Sequence, residues 1–140
     1  METKICTKCK NELPIEDFNW RDKKKGTRRS ECKYCHTSYM KTMYQNKKKT
    51  IENLKVKECC QKCGDTRGYV LDFHHKDPSI KEDTIARMTS NNYCLTKTLE
   101  EIEKCVVICS NCHREFHYLE KENGIDIDEY LGVDTKVSNI

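Results

Sequence analysis

The chain has 140 residues, enough for one ordinary domain or two very small ones, with 36% hydrophobic and 35% charged residues. So few apolar residues make a thin core, so a further staple is needed, and eleven cysteines offer one. The net charge of +3 hides an asymmetry: residues 1–57 carry 16 Lys/Arg against 7 Asp/Glu, and residues 58–140 carry 10 against 16. An imbalance of this kind points the N-terminal half at a polyanion.

A secreted disulfide scaffold is disfavoured. The stretch Met1-Glu2-Thr3-Lys4-Ile5-Cys6 carries no apolar run, and an odd number of cysteines fits complete pairing poorly. No segment approaches the ~20 apolar residues of a membrane helix. The expectation is a cytoplasmic protein without a membrane partner, whose paired cysteines bind metal.

Residues 1–35 have the pattern of a zinc ribbon. Cys6 and Cys9, and again Cys32 and Cys35, are separated by two residues, so each pair can form a turn that aims two sulfurs at one ion. Four thiolates complete the tetrahedron of a structural zinc. The 22 intervening residues suit a short hairpin, with Phe18 and Trp20 expected beside the metal. Lys23, Lys24, Lys25, Arg28 and Arg29 mark an exposed basic loop with Gly26 at its turn.

Residues 36–57 are expected to form a basic linking helix. Tyr39, Met40, Met43, Tyr44, Ile51 and Leu54 recur at roughly the helical period, and no Pro or Gly interrupts them. Lys41, Lys47, Lys48 and Lys49 decorate this helix. Residues 21–49 hold 11 Lys/Arg but only Asp22 and Glu31 as acids, with aromatic residues interleaved. Such a patch suits phosphate neutralisation, so these lysines and the loop cations are expected to contact DNA.

Residues 58–119 form a second module. Cys60, Cys63, Cys109 and Cys112 make a second quartet, with Cys60 preferred to Cys59 because Cys60-Gln61-Lys62-Cys63-Gly64 has the knuckle spacing. Val70 to His75 alternates as a strand and should end at Asp77-Pro78. Leu99, Ile102, Val106 and Val107 lead as a buried run to Cys109, and a short helix follows from Cys112 to Glu120. Residues 120–140 are expected to be an acidic tail.

Four of the five histidines lie in this module. His74 and His75 are adjacent on a strand and so point to opposite sides. His113 and His117 are four apart on a helix and share one face. Cys112 lies about 100° around that helix from His113, so the cysteine can serve the structural zinc while the histidines face another ion. A single C2H2 finger made from Cys109, Cys112, His113 and His117 is disfavoured, because such fingers place about twelve residues between the two pairs.

Cys60-Gln61-Lys62-Cys63-Gly64, Leu71-Asp72-Phe73-His74-His75 and Val107-Ile108-Cys109-Ser110-Asn111-Cys112-His113-Arg114-Glu115-Phe116-His117 together resemble the HNH (ββα-metal, His-Me finger) endonucleases, in the small zinc-supported form common in phages. The ribbon motifs Lys8-Cys9, Glu16-Asp17-Phe18 and Glu31-Cys32-Lys33-Tyr34-Cys35 are similar to ribbons at the front of such proteins. The resemblance implies an α+β fold with a ββα-metal nuclease module and a metal-dependent DNA endonuclease, placed in the host cytoplasm if phage-encoded. It implies His75 as the general base, and His74, His113 and His117 as holders of a catalytic divalent ion. Asp72, two residues before His74 on the same strand face, would orient a histidine from behind. Two structural zinc ions and one catalytic ion are expected, the latter Mg, Mn, Ni, Co or Zn, with imidazole ligands favouring the transition metals.

One position departs from the family pattern. The family's asparagine often holds the loop that bears the base, but at its usual spacing this chain has Lys104 and Cys105. Asn91 and Asn92 lie earlier, and Asn111 lies inside the cysteine knuckle. Two further classes compete with the enzyme reading: a non-catalytic zinc DNA-binding or regulatory protein, and a zinc protein-interaction module. The four histidines of the second module argue against both.

Overall fold

The computed structural model describes residues 1–133. Short strands β1 (Thr3–Ile5) and β2 (Glu12–Pro14) pair antiparallel, as do β3 (Trp20–Asp22) and β4 (Thr27–Arg28). Helix α1 (Lys33–Glu58) follows, then β5 (Leu71–His75), α2 (Ile85–Ser90), α3 (Leu95–Ile102), β6 (Cys105–Cys109), α4 (Ser110–Asn123) and α5 (Ile127–Leu131). The chain divides into two compact units, Met1–Asn46 and Lys47 onward. The fold is thus a mixture of helices and small antiparallel sheets.

In the first unit the ribbon contains two hairpins rather than one, and the basic loop is the turn of the second. Its core is tiny: Phe18 is fully buried against Cys6 and Cys32, with Leu13 and Cys35 packed at the edge. Trp20 does not join it. The indole is 42% exposed and lies under the Arg28 guanidinium, 3.4 Å from the ring centroid. A core this small cannot hold two large aromatics, and the cation covers the second instead.

Helix α1 begins at Lys33, so Cys35 sits in its first turn. In the segment belonging to the first unit, Tyr39, Met40, Met43 and Tyr44 are exposed. In the second unit Ile51 is buried on the same helix. Among the described residues no helix is long and apolar enough to cross a membrane.

The second unit is built on β5 and β6, paired antiparallel in the register Leu71 with Cys109 through His75 with Cys105. Val106, Val107 and Ile108 are buried to 3% exposure or less, so this strand is covered on both faces. Leu71, Phe116, Ile127, Tyr130 and three of the second quartet's cysteines join them in one core. The run before β6 differs from its sequence pattern: Leu99 and Ile102 are half-buried, while Thr98 and Glu101 are the buried residues of α3. Part of the expected acidic tail is also structured. Residues 127–131 form α5, Ile127 and Tyr130 are buried, and the Tyr130 hydroxyl donates to Glu115 Oε2 at 2.5 Å. Residues 134–140 of that expected tail lie outside the described residues.

Candidate metal centres

The two cysteine quartets are built the same way. In each, the first pair closes a tight turn whose residue after the second cysteine has positive φ. Lys10 (φ 64) donates its amide to Cys6 O at 2.9 Å, and Gly64 (φ 80) donates to Cys60 O at 2.7 Å. Glycine meets that requirement without strain, which explains the Cys60-Gln61-Lys62-Cys63-Gly64 signature. The second pair sits at a helix start: Cys32 and Cys35 at α1, Cys109 and Cys112 at α4. Unpaired amides there favour a thiolate.

Backbone N–H groups reach the sulfurs. Lys8 N and Cys32 N donate to Cys6 Sγ at 3.4 and 3.3 Å, Cys109 N to Cys60 Sγ at 3.2 Å, and Cys112 N to Cys109 Sγ at 3.5 Å. Burial opposes ionisation of Cys6 and Cys60, but backbone amides of Cys32, Cys9 and Lys8 for Cys6, and of Cys63, Cys109 and Lys62 for Cys60, outweigh it and bring each thiol down to about 6. Cys35 is pushed up to about 12, chiefly by its hydrogen bond with Cys32 and then by burial.

The four sulfurs of each quartet lie within 4.8 Å of one another. Cys63 Sγ and Cys109 Sγ are 3.7 Å apart. A disulfide needs ~2.05 Å, whereas ligands 2.3 Å from a tetrahedral zinc stand about 3.8 Å apart. The donor sets therefore suit zinc, and Cys60 rather than Cys59 belongs to the second. Elemental analysis after dialysis without chelator should return about two zinc ions per chain, because structural sites hold metal as part of folding. A folded, reduced protein without zinc would contradict both sites.

A third cluster joins β5 to α4. His74 Nδ1 lies 3.0 Å from His113 Nε2, which lies 3.1 Å from His117 Nε2. Ligands of a tetrahedral ion at zinc–nitrogen distances stand about 3.4 Å apart, so the three rings can share one ion. His74 is held edge-on to Phe116, centroids 5.0 Å apart. It is pushed down to about 4, by burial first and then by His113 and His117. Two of the rings have a carboxylate behind them. Asp72 Oδ2 is 3.5 Å from His113 Nδ1, and Glu120 Oε2 is 3.0 Å from His117 Nδ1. Asp72 thus backs His113 rather than its strand neighbour His74. Glu120 was not singled out from the sequence, although its i, i+3 spacing from His117 was a readable signal.

His75 points the other way, as strand alternation requires. It is buried, and its Nε2 lies 2.7 Å from Glu101 Oε1. Glu101, on α3, is 1% exposed, and its carboxylate also accepts from Glu82 N at 2.9 Å and Lys104 Nζ at 2.7 Å. Burial works against ionisation of Glu101, but hydrogen bonds from Lys104, the Glu82 amide and His75 prevail and hold it at about 2. Sequence reasoning missed Glu101, because a carboxylate between Leu99 and Ile102 looks like the solvent face of an amphipathic helix.

The expected DNA contacts divide. Lys23, Lys24, Lys25, Arg29, Lys41, Lys48 and Lys49 are exposed. Two cations are already engaged. Arg28 covers Trp20 and donates to Phe18 O at 2.9 Å. Lys47 donates to Met88 O and, at 2.7 Å, to Tyr93 O. No family model, curated protein or solved structure matches the chain.

Proposed function

We propose that this protein is a zinc-stabilised, metal-dependent DNA endonuclease of the HNH type. One observation carries the reading: the end of β5 presents a three-nitrogen cluster on one face and a carboxylate-held histidine on the other. Two antiparallel strands followed by a helix, with the cluster between strand and helix, is the arrangement that a ββα-metal module requires.

His74, His113 and His117 would hold a divalent ion, which would supply Lewis-acid stabilisation of the phosphate and of the departing oxygen. The chain supplies the rest. Asp72 and Glu120 fix two of the ligand rings with their Nε2 atoms turned to the shared point. His75, with Nε2 committed to Glu101, has Nδ1 for the proton of the attacking water. The water oxygen bonds to phosphorus, its proton passes to His75, and the phosphorus–oxygen bond to the leaving sugar breaks. Exposed lysines on the loop and on α1 neutralise neighbouring phosphates, which gives affinity with little sequence preference.

A plasmid-nicking assay with added Mg, Mn, Ni or Zn tests the reading directly. Metal-dependent conversion of supercoiled plasmid is expected; DNA binding without any conversion would favour the non-catalytic zinc DNA-binding alternative. For these lysines, combined replacement of Lys24, Lys25, Lys48 and Lys49 by alanine should weaken binding on all sequences alike. The slope of log K against log salt should become shallower by about 0.9 for each duplex phosphate no longer neutralised. An unchanged slope would mean that these lysines only face solvent.

A further inference from the structure

We infer that Glu101 is a positioning residue, fixing the proton of His75 on Nε2 and, with Lys104, tying down the loop between β5 and α2. This role rests on the reading of His75 as the base. A carboxylate 1% exposed must have donors on both oxygens or it will not stay ionised. Here Oε1 faces His75 Nε2 and the Glu82 amide, and Oε2 faces Lys104 Nζ. An ionised carboxylate only accepts, so the neutral His75 ring must donate from Nε2. The lone pair is then on Nδ1, the only nitrogen through which His75 can act as a base.

The same two residues hold the loop at three points. Lys76 N donates to Lys104 O at 3.0 Å, at the exit from β5. Lys104 Nζ donates to Ile80 O at 3.2 Å, in the middle. Glu82 N donates to Glu101 Oε1 near the far end. Glu101 and Lys104 are three apart at the end of α3 and just beyond it, so one helical turn delivers both groups to one side. A base whose ring is oriented by a buried carboxylate and whose following loop is pinned keeps its geometry without substrate.

The test is imidazole nitrogen NMR on the zinc-loaded full chain, with His75 assigned by loss of its signals in His75→Gln, at a pH where the ring is neutral. In the wild type the proton should sit on Nε2; a proton on Nδ1 overturns the inference with no variant needed. Glu101→Met removes the acceptor from His75 Nε2, so the tautomer should shift toward Nδ1–H, with zinc content unchanged. Its cleavage rate should fall about 10²-fold at unchanged DNA affinity, within the range for loss of a general base. An unchanged tautomer in Glu101→Met means a merely structural carboxylate and overturns the inference. Lys104→Met leaves Oε1 in place, so it should preserve the tautomer, but it removes the donor to Ile80 O and should speed amide exchange at Ile80 and Lys81; unchanged exchange there overturns the loop half. A wild type inert on every DNA, with the tautomer as stated, ends the nuclease reading and leaves the role of Glu101 in fixing the ring intact.

Discussion

His75→Ala is expected to lower DNA cleavage about 10²–10⁴-fold, the usual cost of removing a general base, with zinc content and DNA affinity near wild type. The expectation follows from strand geometry. Adjacent residues of β5 face opposite sides, and the nitrogen cluster uses only His74. Loss of His75 therefore removes no ligand from that cluster. It does leave Glu101 with one donor fewer in a buried site, so some stability should be lost as well; leaving a buried acceptor unanswered typically costs about 1–3 kcal/mol. The Lys104 and Glu82 donors remain to satisfy the carboxylate, so the fold should persist. Single-turnover nicking beside a thermal melt separates the two effects. Cleavage at the wild-type rate with normal DNA binding would remove His75 from the chemistry.

Much of this site was legible because its geometry is set locally. The spacing within each cysteine pair dictates a turn or a helix start, and both quartets assemble from four such pieces. His113 and His117 meet because four residues make about one helical turn, and the side of His74 is set by the strand period of two. What was not legible depends on contacts distant in sequence. Glu101 stands 26 residues from His75, and nothing within α3 distinguishes a buried carboxylate from a solvated one. Lys47 looks like any lysine of a basic run, yet it caps carbonyls 41 and 46 residues away. Residues 127–131 have an acidic composition, but Tyr130 is drawn into the core by Phe116 and Glu115, and Lys62 Nζ donates to its carbonyl at 2.6 Å. The loop after β5 belongs to the same class: Glu101 and Lys104 hold it, and their joint role appears only once α3 is packed against β6.

His113→Ala should produce the other large effect, through metal affinity rather than proton transfer. Its Nε2 is the hub of the cluster, 3.0 Å from His74 and 3.1 Å from His117, so its removal leaves the two remaining nitrogens without their common neighbour. It also leaves Asp72 without the ring its carboxylate stands 3.5 Å from. Calorimetric titration of the zinc-loaded protein with Mn or Ni should show one exchangeable site in the wild type. In His113→Ala, binding should be weakened well beyond the 10–100-fold typical of losing a partner behind a ligand. Asp72→Asn should fall within that smaller range, since the ring stays and only its orientation loosens. His74→Ala and His117→Ala should also weaken the site. His117 is the more exposed ring and is backed by Glu120, so solvent can replace it more easily than it can His74, which is packed on Phe116. Raising the metal concentration should partly restore cleavage in all three ligand variants and should not restore it in His75→Ala. That split tests the division of labour along β5: rescue of His75→Ala by metal would make it a ligand, and a wild type with no exchangeable site would leave the three histidines as a packed surface cluster.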